Sequence, residues 1–289
     1  MSRIDQAWRR ASGSLNQNPE PELPAEPGEQ TEDGALQRYA RETAARAPIE
    51  PPVPPPHRTI VAPRLPRPRQ FGRPQVTFDR KLVVNEKAEP RAVEQYRRLA
   101  AALEEVQGQR RLKALMVTSA SACDGKTLTS ANLALTFSES RGKRVLLIDG
   151  DVRQPSLHTL FRVPNTTGLS HVLRSDHADV SFSLITANLS VLTAGEPDLN
   201  TMSALTSDRM QDLVEQFASQ FDWVLIDAAP VGFMVDSSLL ARITGAVLFV
   251  IGAESTPYPL VQRALYALGP EFVVGTVLNR VADDYNQGM

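Results

Sequence analysis

Leu112-Lys-Ala-Leu-Met-Val-Thr-Ser-Ala-Ser-Ala-Cys-Asp-Gly-Lys-Thr-Leu-Thr-Ser-Ala-Asn-Leu-Ala134 decides how this chain is read. An apolar run with strand character, Leu112 to Thr118, passes into a small polar loop ending Gly125-Lys126-Thr127, and a helical stretch follows at once. Strand, Gly-Lys-Thr loop and helix together make a phosphate-binding loop, because successive backbone N–H groups of the loop and of the helix start point at one spot. Ser121, Cys123, Asp124, Gly125 and Leu128 are thus expected to surround nucleotide phosphates. Lys126 should reach the β- and γ-phosphates and the Thr127 hydroxyl should ligate magnesium. Where such loops usually begin with glycine, six positions before the lysine, this chain has Ala120. A bare Gly-Lys-Thr arises often by chance, so the surrounding carboxylates matter.

Working outward, Val145-Leu-Leu-Ile-Asp-Gly-Asp-Val-Arg-Gln-Pro155 is a second apolar run, ending in Asp149 and Asp151. Two carboxylates at the carboxyl end of a buried strand face the crevice where ligands bind in open α/β sheets. One would hold magnesium, and the other would accept a proton from an incoming hydroxyl; the alternative is a polar turn capping the helix that starts near Ser156. A third run, Trp223-Val-Leu-Ile-Asp227, has the Walker B pattern, which puts Asp227 near the metal. Leu189 to Leu192, Ala246 to Ile251 and Val273 to Leu278 complete the apolar runs. Their length and lack of strict alternation suit strands buried on both faces of a mostly parallel sheet. Glu89 to Val106, Lys126 to Ser140, Met202 to Phe217, Asp236 to Ile243 and Pro257 to Leu268 read as helices. The expected fold class is α/β, a mostly parallel, doubly wound P-loop NTPase sheet flanked by helices over residues 88–282. Asn279 and Arg280 end the last strand; resemblance to the superfamily's sheet geometry implies that they are adenine-contact candidates, and an ordinary surface turn is the alternative. Asp236 reads as a helix N-cap or a nucleotide-positioning residue.

The remainder of the 289 residues has a different composition: 14 of the 22 prolines precede residue 75. Residues 16–80 should form a disordered Pro- and Arg-rich tether, with Pro51-Pro-Val-Pro-Pro-Pro56 as an alternative docking ligand. Ile4, Trp8, Ala11 and Leu15 recur at helical spacing, which makes residues 1–15 a short amphipathic docking helix or a frayed terminus. Residues 283–289 form a tail containing Tyr285. A formal net charge of −2 argues against a nucleic-acid coat. The longest apolar run, Gly245 to Ala253, has nine residues, short of the about 18 that a membrane span needs. Cys123 is the single cysteine, which excludes an internal disulfide framework. A cytoplasmic chain is expected.

These motifs resemble the bacterial tyrosine autokinases (BY-kinases) of polysaccharide biosynthesis, within the MinD/ParA-like superfamily. The resemblance rests on Val117-Thr-Ser, Asp124-Gly-Lys-Thr127, Leu146-Leu-Ile-Asp-Gly-Asp-Val-Arg-Gln-Pro-Ser-Leu-His158, Leu189-Ser-Val-Leu-Thr-Ala-Gly195, Val224-Leu-Ile-Asp227 and Val274-Gly-Thr-Val-Leu-Asn-Arg280. In that family the aspartate pair followed by Arg153 is the second Walker A motif, so the resemblance implies that Arg153 stabilises phosphate charge or an adjoining subunit. It also implies ATP and Mg2+ as cofactors and autophosphorylation of tyrosine, with Tyr285 the first candidate acceptor and an ordinary frayed tail the alternative. A membrane-spanning activator or chain-length determinant with a cytoplasmic segment, a homo-oligomer, no nucleic acid, and a place at the inner membrane through that partner complete the implication.

One position separates the chain from a competing pattern in favour of the kinase, and three depart from the kinase pattern itself. Partitioning-type ATPases of the same superfamily carry a second lysine early in the loop, and Ser121 stands there. Ala122-Cys123-Asp124 replaces the family's more usual Pro-Gly-Glu, and Asp124 brings a carboxylate near the phosphates, unfavourable unless it turns away. Glu94 and Arg97 match a Glu-x-x-Arg-x-x-Arg subunit-contact helix whose last arginine is Ala100 here. The tail carries one tyrosine instead of a cluster. The expectation is thus an ATP- and magnesium-dependent tyrosine autokinase regulating exopolysaccharide polymerisation and export. An ATP-binding scaffold with little kinase activity and a partitioning-type ATPase are the alternatives.

Overall fold

The computed structural model describes residues 82–84, 88–174, 180–196, 201–233 and 237–281. The expected N-terminal helix, the tether, Asp236, the boundary at 282 and Tyr285 lie outside the described residues. Strands β1 (Ala114–Ser119), β2 (Val145–Asp149), β3 (Ser183–Leu184), β4 (Leu189–Leu192), β5 (Trp223–Asp227), β6 (Val247–Gly252) and β7 (Val273–Asn279) form one sheet in the order β3-β4-β2-β5-β1-β6-β7. All neighbours pair in parallel except β3 with β4. Every residue of β1, β2, β4 and β5 is buried, which is why these segments read as unbroken apolar runs.

Successive strand side chains serve opposite layers. Leu146 and Ile148 face a core shared with α6 (Asp208–Gln220), α7 (Ser237–Thr244) and α8 (Tyr258–Leu268). Val145 and Leu147 face a second core shared with α1 (Pro90–Arg110) and α2 (Lys126–Leu135). There Phe137 stacks on Trp223 with ring centroids 4.7 Å apart. Short helices α3 (Leu157–Phe161), α4 (Leu169–Arg174) and α5 (Thr201–Ala204) complete the described α-helices.

The structure refines several expected boundaries. The helix expected over Met202 to Phe217 is two helices, because Ser207 caps α6 by accepting the Met210 N–H. The helix from Lys126 continues past Leu135 as a π-helical turn, Thr136–Ser140. Packing also reaches ahead of residue 88: Leu82 is fully buried, and the Val83 N–H donates to Asn132 Oδ1 at 2.9 Å.

Candidate active site

The three central strands β2, β5 and β1 lie side by side and end together, which brings their following loops to one cleft. That cleft has a volume of about 1120 Å³, and Lys126, Thr127, Asp151, Arg153, Asn279 and Arg280 are among its lining residues. The phosphate loop turns through two left-handed residues, Cys123 at φ 70° and Gly125 at φ 94°. A side chain at Gly125 would collide with the Asn279 amide, so glycine is required there on both counts. Ala120 is buried and its backbone is not left-handed, which explains how alanine replaces the usual glycine.

Lys126 and Asp151 form an ion pair, Nζ to Oδ2 3.2 Å, while Asp151 Oδ1 accepts the Gln154 N–H at 3.2 Å. Asp149 and Asp227 are register partners on β2 and β5, and both are fully buried. Oδ2 of Asp149 accepts the N–H groups of Ser156 and Leu157 at 3.0 Å each, fixing the start of α3. Oδ1 of Asp227 accepts the Ser130 hydroxyl at 3.1 Å. The other oxygens, Asp149 Oδ1 and Asp227 Oδ2, are buried without a hydrogen-bond partner. Burial, then the Asp227 charge, raises the Asp149 pKa to about 7, against the lowering effect of the Leu157 and Ser156 N–H groups. Burial also raises the Asp227 pKa to about 6, against the Lys126 charge and the Thr127 and Ser130 hydroxyls.

Two orphaned carboxylate oxygens beside a Thr hydroxyl fit a divalent cation. Magnesium typically takes one or two protein carboxylates and completes its shell with water and phosphate oxygens. The Thr127 Oγ1 lies 3.3 Å from the Ser156 Oγ, at the edge of the same group.

Asp124 does not point at the phosphates. It is buried and turned back into the protein, where Oδ2 accepts the Ser121 N–H at 3.0 Å and Oδ1 accepts the Thr256 hydroxyl at 2.6 Å. Asn279 also departs from a purely base-facing placement, since its Nδ2 donates to the Asp124 carbonyl at 2.8 Å. The loop is therefore held from behind by β7 and by the turn after β6. Cys123 is exposed, and Arg153, Arg280 and Leu128 line the cleft. Thr256 and Ser130 were not singled out from the sequence, because each acts on a residue far away along the chain.

A family model described as the CobQ/CobB/MinD/ParA nucleotide binding domain matches residues 115–288. A putative tyrosine-protein kinase CapB from Staphylococcus aureus is 30% identical over 209 residues, spanning 71% of this chain and 91% of the relative. The chain belongs to the bacterial tyrosine-kinase family. Another member, tyrosine-protein kinase YwqD from Bacillus subtilis, is 33% identical over 197 residues, spanning 66% of this chain and 83% of the relative. Among solved structures of the family, the kinase domain of the Escherichia coli tyrosine kinase ETK superposes with a TM-score of 0.64 at 27% identity, covering 78% of this chain and 93% of that one. Among the described residues no helix is long and apolar enough to cross a membrane.

Proposed function

We propose that the chain is an ATP- and magnesium-dependent protein-tyrosine autokinase that regulates exopolysaccharide or capsule polymerisation and export. The observation that carries this reading is a cleft lined by a phosphate loop and a lysine–aspartate pair, with two orphaned buried carboxylates at the ends of the adjoining strands β2 and β5. The loop N–H groups and Lys126 bind the phosphates. Thr127, Asp149 and Asp227 hold magnesium, which when bound neutralises charge on the phosphate oxygens. Asp151 takes the phenol proton as the tyrosine oxygen bonds to the γ-phosphorus. The bond from that phosphorus to the β,γ-bridging oxygen breaks, and ADP leaves with the electron pair. Arg153 offsets charge on the transferring group, Arg280 sits toward the base, and Tyr285 is the acceptor.

By family resemblance the kinase works as a homo-oligomer at the inner membrane, activated by the cytoplasmic segment of a transmembrane partner. Residues 88–282 are the catalytic domain in this reading, joined to the rest by the tether. A scaffold reading with little phosphorylation keeps one specific observation in its favour. Ala100, where the subunit-contact helix would carry its last arginine, is completely buried, and Glu94 pairs at 3.3 Å with Arg98.

Mass spectrometry of the tryptic peptide Val281 to Met289 from native cells, beside a Lys126→Ala strain, separates the two. Phosphate on Tyr285 that disappears in the variant supports the kinase. A bare peptide in both, with ATP binding retained by the unsubstituted chain, supports the scaffold.

A further inference from the structure

A serine just before a helix ordinarily spends its hydroxyl on the first free N–H groups of that helix. Ser207 does so at α6, where its side chain accepts the Met210 N–H. Ser156 holds the same position before α3, yet its side chain makes no capping hydrogen bond. Asp149 has taken over that duty, its Oδ2 accepting the N–H groups of Ser156 and Leu157 at 3.0 Å each. The Ser156 hydroxyl is thereby released. It turns to the start of α2 instead and donates to Thr127 Oγ1 at 3.3 Å. Both residues line the cleft. At 3.3 Å the contact is longer than the roughly 2.7–2.8 Å usual between hydroxyls, so it directs more than it stabilises.

The protons around Thr127 can be followed one by one. A hydroxyl has one proton to donate and two lone pairs. The Thr127 hydroxyl also lowers the Asp227 pKa by hydrogen bonding to its carboxylate, and an ionised carboxylate can only accept. The Thr127 proton is thus committed to Asp227 and the Ser156 proton to Thr127. One lone pair of Thr127 is occupied, and the other is left for a cation.

We infer that Ser156 is a positioning residue of the divalent-cation site, tying Asp149 to Thr127 and fixing the rotation of the Thr127 hydroxyl so that a lone pair stays free for the metal. The inference rests on the magnesium- and nucleotide-binding part of the reading above, and it does not depend on transfer to tyrosine. Ser156 joins two elements that each supply a proposed ligand: its N–H is held by Asp149 at the end of β2, and its hydroxyl holds Thr127 in α2. The oxygen of Asp149 that faces away from this anchor is the buried one without a hydrogen-bond partner. Magnesium tolerates little departure from octahedral geometry, so a threonine hydroxyl that rotates freely is a poorer ligand than one held from behind.

The test uses the full chain and calorimetric titration of ADP with and without Mg2+, and reads the factor by which magnesium tightens binding. Ser156→Ala should cut that factor about tenfold. ADP affinity without metal and the urea midpoint should stay where they were, because the hydroxyl caps no helix. Ser156→Thr keeps a hydroxyl and should restore most of the factor. In a Thr127→Ala chain, adding Ser156→Ala should change nothing further, since the acceptor is gone. A Ser156→Ala chain that keeps the full factor, or losses that add in the double variant, overturn the inference. An equal loss with and without metal also overturns it, by assigning the serine to the phosphates. So does a Ser156→Ala chain that unfolds or melts at lower urea, by assigning the serine to the architecture of α3. If magnesium leaves the ADP affinity of the unsubstituted chain unchanged, the magnesium reading fails first and takes this inference with it. Absence of tyrosine phosphorylation fails the kinase reading alone, because every binding outcome above can still be read.

Discussion

Lys126 Nζ lies 3.2 Å from Asp151 Oδ2, so the lysine proposed for the phosphates and the carboxylate proposed to take the acceptor's proton hold each other. Both side chains are largely buried, 13% and 6% exposed, so neither is well compensated by water when the other leaves. Phosphates that draw Lys126 away would therefore free Asp151 at the moment a base is needed. Asp151→Asn should bind ADP as tightly as the unsubstituted chain or more so, because it no longer competes for the lysine. Its single-turnover rate should fall by about 10²–10⁴. Lys126→Ala should lose ADP affinity itself, by about tenfold or more. Calorimetric titration with MgADP and quenched single-turnover assays distinguish the two profiles.

The buried carboxylates give the metal-free protein a defined pH dependence. Asp149 and Asp227 have folded pKa values raised to about 7 and about 6, above the ordinary aspartate value of 3.8. The folded state thus binds more protons than the unfolded state between about pH 4 and 7, and stability falls as pH rises through that window. The thermal midpoint without magnesium should drop by several degrees from pH 5 to pH 7.5. Asp149→Asn should flatten the drop, and MgADP should raise the midpoint more at pH 7.5 than at pH 5. A midpoint that climbs over this range without metal would contradict the assignment.

Thr256 donates to Asp124 at 2.6 Å from the turn that follows β6. Thr256→Val leaves a buried carboxylate oxygen unsatisfied, at a cost of about 1–3 kcal/mol. Urea denaturation should report that loss, with a weaker grip on ADP beside it. Adding Asp124→Ala should restore part of the stability, so the two changes should combine less than additively.

Cys123 adopts φ 70°, a conformation that costs a residue with a side chain about 1–2 kcal/mol. Cys123→Gly should keep the protein folded with unchanged or higher ADP affinity. Cys123→Val, branched at Cβ, should weaken ADP binding several-fold as the loop shifts to relieve it. Equilibrium binding on the three proteins gives the order.

The sheet was legible because β1, β2, β4 and β5 are buried on both faces, and only uninterrupted apolar sequence survives there. The positions of Asp149 and Asp227 at the ends of β2 and β5 were legible for a related reason, as charges that close apolar runs. The break before α6 was written in Ser207, a good N-cap followed by Asp208, although the apolar spacing on both sides suggested a single helix. By contrast β3 has two residues, too few to carry a period. The fate of Asp124 could not be read at all, since it depends on Thr256, 132 residues away. Ser130 likewise meets Asp227 across 97 residues, and no local pattern announces a hydroxyl that completes a distant carboxylate's shell.

The two oxygens of Asp149 differ in their surroundings: one anchors the first N–H groups of α3, and the other is buried without a hydrogen-bond partner. An inactive Asp149→Ala protein would therefore be ambiguous, because the same truncation sets loose Ser156 and the helix that follows it. Asparagine retains an oxygen for the helix while removing the charge. At this position the choice of replacement determines whether lost activity speaks of metal or of architecture.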